Sequence, residues 1–389
     1  MSLNQALPML EGVKVIDLTS VVFGPYATQI LADFGADVTK IEPQLGDAFR
    51  YSQKPAKSRG MSPGHLSLNR GKKSVTLDLK SPEDIEIMRN LIADCDIFIH
   101  NIRDKAIKRL GLGYDTVKAL NPEIIYVHCV GFGSDGPYSD LQAYDDVIQA
   151  ATGTTSLLSR VDGNETPRFI PSLIADKVAG LNGAYASLAA VIHKLRTGRG
   201  QFVEVPMFEA FAHFMLKEHL AGMTFVPPNG RACYSRQIDP LRQPFPTADG
   251  HIVIVPYTDN SWASVYEVLG ASEFLEDERF STPRARFKNQ DLLYKGVAAR
   301  TPSQPTAYWV DALRAQNIPC MAVRDIDDIL EDPHLVETGF LKQREHPTEG
   351  TYYELSEASR YSDWSPSDPA PAPTVGEHND AVKARYKHK

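Results

Sequence analysis

The chain has 389 residues, 42% of them apolar and 23% charged, with a formal net charge of −8 at neutral pH. That length exceeds what one small core can serve, so about two or three domains of an ordinary globular protein are expected. The acidic balance speaks against a general nucleic-acid or anionic-membrane surface while leaving room for a local basic pocket.

No run of about 18 or more apolar residues marks a membrane span, and "MSLNQALPMLEGVKV" lacks a basic region followed by an apolar core. The reading is therefore cytoplasmic and unanchored, with no membrane and no nucleic-acid partner. Cys95, Cys129, Cys233 and Cys320 lie far apart, without C-x-x-C or paired histidines, so neither disulfides nor a metal site are expected.

In chain order, the first 130 residues alternate strand and helix patterns, the mark of a parallel sheet covered by helices. Strands are predicted at residues 13–18, 36–41, 74–79, 96–100 and 124–130, and a helix at 26–34. Ser81-Pro82-Glu83-Asp84 opens another helix, with Ser81 as cap and proline at the first helical position. In "PSLIADKVAG" a single carboxylate, Asp176, precedes Val178, Leu181, Tyr185, Leu188, Ile192 and Leu195 at helical spacing. Asp176 reads either as a helix N-cap or as a catalytic carboxylate, and the local pattern leaves both open. A strand "QFVEVPM" and a helix near 208–221 follow, and the turn-rich stretch from about residue 227 marks a boundary. Residues of about 245–320 read as a smaller α+β unit, with a strand at 251–256 and helices at 262–269 and 307–316. "PSDPAPAPT" is a proline-rich extended connector.

Four motifs offer chemistry. "GFGSDGP" matches G-x-G-x-x-G after a strand, but Pro137 follows the last glycine and no helix begins inside it. A loop requiring positive φ is the better reading than a nicotinamide or flavin site. Gly24-Pro25 makes a sharp strand-to-helix turn where open α/β sheets collect ligands. "NRGKK" and "NIRDKAIKRLG" read singly as solvated surface, yet each flanks a strand, and together they offer a site for several phosphates. Asp145 and Asp146 point about 100° apart on a helix and read as a cap and a surface acid rather than a paired site. No G-x-S-x-G elbow and no P-loop are present.

Taken in order, "LEGVKVIDLTSVVFGPYATQILADFGADVTKIEP", "LNRGKKSVTLDLKSPED", "NIRDKAIKRLGLGYDTVKALNPEIIYVHCVGFGSDGP", "YDDVIQAATG" and "IADKVAGLNGAYASLAAVIHKLRTGRGQFVEVPM" resemble the class III (family III) CoA-transferases, typified by formyl-CoA:oxalate and carnitine CoA-transferases. The likeness resumes at "PFPTADGHIVI", "DERFSTPRARFKN", "IPCMAVRDIDDILEDPH" and "VGEHND", so it covers nearly the whole chain.

The resemblance implies an α/β fold, a Rossmann-like parallel-sheet large domain plus a smaller α+β domain, in an interlocked homodimer. The domains would be residues 1–225, 226–325, and 326–389 returning to the first. It implies an aspartate nucleophile at Asp176, CoA held by Asn69, Arg70, Lys72, Lys73, Asn101, Arg103 and Arg109, and no permanently bound cofactor, with acyl-CoA and a small carboxylic acid as substrates. Oxyanion donors or substrate contacts would come from Ser20, Val22, Gly24, Gly131, Gly133 and Tyr144. A carboxylate at a helix N-terminus would be kept ionised by the helix field. Arg50 and Arg160 are further candidates for an acceptor carboxylate, beside ordinary ion pairing.

Departures narrow the expectation. Formyl-CoA transferases carry histidine and glutamine where this chain has Ser20 and Val22, and a run of glycines absent here between Phe245 and Trp262. The related α-methylacyl-CoA racemases carry a histidine where Tyr144 stands, so two-base racemisation loses a base. His128 reads as a satisfied core histidine. The expected activity is CoA transfer to a small, dicarboxylic acid; a racemase-like acyl-CoA isomerase and an NAD-dependent dehydrogenase are the alternatives.

Overall fold

The computed structural model describes residues 7–366 and 368–387. In chain order come β1 (Lys14–Leu18), α1 (Phe23–Asp33), β2 (Asp37–Glu42), α2 (Pro63–Asn69), β3 (Lys72–Thr76), α3 (Pro82–Ala93), β4 (Ile97–His100), α4 (Asp104–Arg109), α5 (Tyr114–Leu120), β5 (Ile125–Val130) and α6 (Asp145–Ala151). After α7 (Leu157–Asp162) follow the long α8 (Ile174–Thr197), β6 (Phe202–Pro206) and α9 (Met207–His219). The rest holds β7 (Phe245–Pro246), β8 (His251–Ile254), α10 (Asp259–Val268), α11 (Pro283–Lys288), α12 (Gln290–Ala298), α13 (Thr306–Ala315), β9 (Cys320–Ala322), α14 (Pro333–Glu337), the hairpin β10 (Leu341–His346) and β11 (Gly350–Leu355), and α15 (Asn379–Tyr386).

Two compact units result. The first takes the chain up to Thr155, Phe169–Lys217 and everything from Pro333 on; the second takes Ser156–Arg168 and Glu218–Asp332. The sequence reading set its boundaries at 225/226 and 325/326 and did not foresee the excursion of 156–168 into the second unit.

The first unit carries a six-stranded sheet of order β3-β2-β1-β4-β5-β6, parallel throughout. Its strands are covered on both faces, which is why they read as apolar runs rather than alternating ones. Val15, Ile97 and Ile99 point into one core with Phe23, Ala27, Leu31 and Ala179. Ile16 and Phe98, one residue out of step, point into the other with Ile87, Met88 and Leu91. The order reverses between β1 and β4, and in such sheets the crevice beyond the carboxyl ends of the two strands at the reversal is where ligands bind.

The C-terminal segment closes the sheet edge. His378 N–H donates to the Ser74 carbonyl at 3.0 Å, and Thr76 N–H to Asn379 Oδ1 at 2.8 Å, so β3 is not left as a free template for another strand. The proline-rich stretch is extended as its composition predicts, with Ser367 outside the described residues. It is no loose connector, because Gly71 N–H donates to the Ala370 carbonyl and Ala372 is buried.

The second unit is the expected small α+β body: an antiparallel sheet of order β7-β8-β9 beside helices that share a core of Trp262, Tyr266, Phe280, Leu293 and Trp309.

Candidate active site

Small residues let α8 lie close against α1. A Cβ on Gly180 would come within 2.9 Å of both the Phe23 carbonyl oxygen and the Tyr26 ring, so only glycine permits that approach. The buried face of α8 is accordingly rich in small residues, Ala175, Ala179, Gly180, Gly183, Ala184, Ser187 and Ala190, with Asp176, Val178 and Val191 beside them. The apolar stripe seen in the sequence divides: Leu181, Tyr185, Ile192 and Leu195 face outward at 49%, 57%, 50% and 80% exposure, whereas Val178 is buried and Leu188 packs partly buried against the core.

Asp176 sits in the first turn of α8 and is only 7% exposed. It is not the cap. Leu173 occupies that position without a side-chain bond, and Asp145 caps the helix from α6. Its Oδ1 accepts the N–H groups of Ala175 at 2.7 Å and of Asp176 at 3.1 Å. Gln149 holds the arrangement, donating to Asp145 Oδ2 at 2.7 Å and accepting the Ile170 N–H at 2.9 Å. Asp145 is buried and Asp146 exposed, a cap and a surface acid as read, but the capped helix lies 30 residues along the chain.

This arrangement reverses the expected electrostatics. Burial, then the carboxylates of Asp145 and Asp146, push Asp176 up to about 7, and the backbone N–H of Phe23 opposes them. The helix field was expected to keep Asp176 ionised. Instead Asp145 takes the amides that would have done so and adds a like charge.

Phe23 opens α1 just past the crevice at β1, and its N–H belongs to the helix-terminal set that lacks intrahelical partners. The loop leading to it is tied down. Ser20 N–H donates to Asn101 Oδ1 at 3.1 Å, and Asn101 Nδ2 returns a bond to the Ser20 carbonyl at 3.0 Å, joining the loops after β1 and β4. Ser20 is exposed, Val22 is buried as the N-cap residue of α1, and Gly24 lies against Thr19 with no room for a Cβ.

The basic residues separate into two groups. Arg70 is buried and forked onto Asp33, Nε to Oδ1 at 2.9 Å and Nη2 to Oδ2 at 2.7 Å. Lys72 is fully enclosed, donating to Asp17 Oδ2, the Pro25 carbonyl, Thr28 Oγ1 and Asn69 Oδ1. Burial is the main force lowering it to about 8. Asn69 also donates to the His65 carbonyl at 3.2 Å, and Lys73 pairs with Asp37 at 2.6 Å. Arg103 and Arg109 are exposed, and neither guanidinium forms an ion pair among the described residues. Asn101 is thus tied to the loop after β1, and Arg103 and Arg109 lie exposed in the segment after β4, while the charges of Arg70 and Lys72 are neutralised inside the fold.

The glycines of "GFGSDGP" work by close approach, not by positive φ: none lies in the left-handed region. A Cβ on Gly131 would collide with Ala143, and one on Gly133 would come 2.7 Å from Glu209 Oε1. The Gly133 N–H already donates to that oxygen at 3.0 Å, so it is no free oxyanion donor. No helix follows directly, which removes the dinucleotide reading. Tyr144 is 64% exposed. His128 is a core histidine, stacked on His100 and hydrogen-bonded to the Ile102 carbonyl. Arg50 offers nothing to a substrate, being fully buried and forked onto Glu42 at 2.8 and 2.7 Å. Arg160 is exposed in the second unit.

Residues 10–379 match CoA-transferase family III. The chain is 31% identical to the succinyl-CoA:glutarate CoA-transferase of Homo sapiens, covering 96% of this chain and 85% of that one. It is 33% identical to the formyl-CoA:oxalate CoA-transferase of Streptomyces coelicolor, over 96% and 94%. Among solved structures, a CAIB/BAIF family protein from Brucella suis superposes with a TM-score of 0.83 at 28% identity, over 97% of this chain and 99% of that one. A match of that extent, on the fold those relatives share, makes this chain a member of CoA-transferase family III.

Proposed function

We propose that this CoA-transferase moves CoA from an acyl-CoA donor to a small, dicarboxylic acceptor acid, with Asp176 as the acyl acceptor. One observation carries the reading: a buried carboxylate with no cation paired to it among the described residues, its own helix capped by another residue, beside the backbone amide of Phe23 at the start of α1. A carboxylate so placed is neither a cap nor half of an ion pair, and its charge is more exposed to reaction than to stabilisation.

The ionised Asp176 attacks the thioester carbonyl, the C–S bond breaks and CoA leaves as thiolate, giving a mixed anhydride. The thiolate attacks the aspartyl carbonyl and the donor acid leaves as carboxylate, giving an aspartyl-CoA thioester. The acceptor carboxylate attacks that thioester and displaces the thiolate, forming an anhydride between acceptor and Asp176. The thiolate then attacks the acceptor carbonyl, releasing the new acyl-CoA and ionised Asp176. The N–H groups of Phe23 and Gly24 stabilise the developing oxyanions. Every step is a carboxylate or thiolate displacement at an acyl carbon.

In this reading Asn101, Arg103 and Arg109 contact CoA, whose phosphates suit the guanidinium fork. Arg70 and Lys72, ion-paired to Asp33 and Asp17 with Asn69 bonded to Lys72, serve this site through the fold rather than as ligand contacts, and Lys73 is paired to Asp37 at the surface. The dicarboxylic acceptor is supported by the names of the human and Streptomyces relatives, which act on succinate, glutarate and oxalate groups. A homodimer is supported by the exposed stripe Leu181, Tyr185, Ile192 and Leu195, since contiguous apolar surface of this kind marks interaction sites.

The test is intact and peptide mass after acyl-CoA addition, with hydroxylamine trapping. Acyl or CoA mass on the Asp176 peptide, and a hydroxamate there after hydroxylamine, is the expected result. Transfer without any adduct at Asp176, or α-proton exchange in D₂O without an acceptor, overturns it.

A further inference from the structure

The loop joining β1 to α1 contains a strained residue. Val21 has φ +71°, a left-handed conformation that a β-branched side chain takes only under constraint. Such a conformation persists only where the surroundings over-determine it.

Here they do. The Val21 N–H donates to both carboxylate oxygens of Asp47, each at 3.1 Å. Asp47 is itself buried and paired with Lys40, which is fully enclosed, at 3.1 Å. Lys40 Nζ reaches back to the Thr19 carbonyl at 2.8 Å. Asp17 Oδ1 takes the Thr19 N–H at 2.9 Å, and Asn101 takes both main-chain groups of Ser20. Residues 19, 20 and 21 are thus each held through the main chain by a side chain from another part of the sheet.

The next two residues are Val22 and Phe23, the cap and first residue of α1. Phe23 lies against α8, where a Cβ on Gly180 would come within 2.9 Å of its carbonyl oxygen, and its amide favours the ionised form of Asp176 against the effect of burial. A turn of the Val21 peptide would swing that amide away.

We infer that the buried Lys40–Asp47 pair is a positioning device: Asp47 locks Val21 in its left-handed conformation, and so aims the Phe23 N–H at the Asp176 carboxylate. The inference rests on the reading of Asp176 as acyl acceptor. Lys40 also faces Asp17 and Glu42, so Asp47 is not its sole compensation. Asp47 Oδ1 accepts the Phe49 N–H as well, at 3.0 Å, which caps the turn after it. Loss of that second bond is a structural effect, and the experiment below separates it from the first.

The experiment is a two-background comparison of transfer kinetics. D47A alone lowers kcat at least about tenfold while KM for acyl-CoA changes less than about threefold, as expected for a misplaced group in a preorganised site. In the V21G background the same D47A change costs less than about threefold, because glycine takes positive φ unaided. Equal losses in both backgrounds, or no loss in either, overturn the inference. If D47A does not fold, D47N in the two backgrounds carries the same comparison. A third readout uses the unmodified enzyme: the Val21 amide is protected from hydrogen exchange, and exchange at the rate of an open loop overturns the inference. The adduct measurement on Asp176 keeps the two failures apart: adduct present with equal losses sinks the clamp alone, whereas no adduct with the background-dependent loss sinks the nucleophile alone.

Discussion

Two groups of buried carboxylates lie in the first unit and meet opposite fates. Under β1–β3, Glu42 is 2% exposed, and burial alone would raise it; the fork from Arg50, and then Lys40, outweigh burial and hold it at about 2. Asp17 beside it is likewise lowered against its burial by Lys72 and Lys40. At the start of α8, Asp176 is nearly as enclosed but meets only other acids and one amide, and it rises to about 7. Among these three residues the difference is whether the fold supplies enough cationic charge to outweigh burial, a balance that Asp33 loses even with Arg70 forked onto it. A compensated carboxylate is architecture, and an uncompensated one is chemistry waiting for a substrate.

The sharpest way to break the contrast is to remove the acids' roles one at a time. D176A should abolish transfer, by at least about 10⁴-fold, while CoA binding followed by calorimetry stays within a few-fold. R50A should leave Glu42 buried without its guanidinium fork, with only Lys40 and the Ser74 and Asp47 hydrogen bonds beside it, lowering stability by about 3 kcal/mol in urea titrations. D176N should act in the other direction. The folded pKa of Asp176 lies above its unfolded value, so between about pH 4 and 7 the folded state binds more protons and the site costs stability as pH rises. D176N should therefore be more stable than the wild type at pH 8, by up to about 4 kcal/mol, and no more stable at pH 4. Glu42 gives the mirror image: its contribution is complete above about pH 4.5 and fades as pH falls through about 2.

Smaller effects sharpen the contrast. For the unmodified enzyme, kcat/KM should rise with pH to a plateau, with a midpoint near 7 if Asp176 must be ionised. D145N should move that midpoint down by about one pH unit, roughly 1.4 kcal/mol, because the like charge is gone while the Ala175 N–H keeps an acceptor. K73A should be nearly silent in thermal melts, within about 0.5 kcal/mol, since its pair with Asp37 is half exposed.

Much of this was legible in the residues. Strand and helix alternation predicted the parallel sheet, because residues covered on both faces must be apolar and crossover helices must separate them. Asp176 stood out as a lone carboxylate between an apolar run and a small-residue helix, which the local pattern also reads as an N-cap, and the family resemblance brought the catalytic reading forward. Asn101, singled out beside the second strand-flanking basic cluster, bonds across to Ser20 in the loop after β1.

Other features required long-range partners that local pattern does not encode. That Asp145 caps α8 depends on two segments 30 residues apart being brought together. Arg70 and Lys72 look like ligand-binding cations until Asp33 and Asp17 arrive from other elements to neutralise them. The glycines of "GFGSDGP" signal permissive backbone, but Ala143 and Glu209 decide that what they provide is room.

The sequence by itself determined the sheet, its helices and the candidate carboxylate, since periodicity and turn chemistry act over a few residues. Only the tertiary structure decided which charges are satisfied, because a buried ion's state is set by whatever the fold places within hydrogen-bond reach. For Asp176 it placed, among the described residues, the amide of Phe23 and the charges of Asp145 and Asp146 rather than a cation.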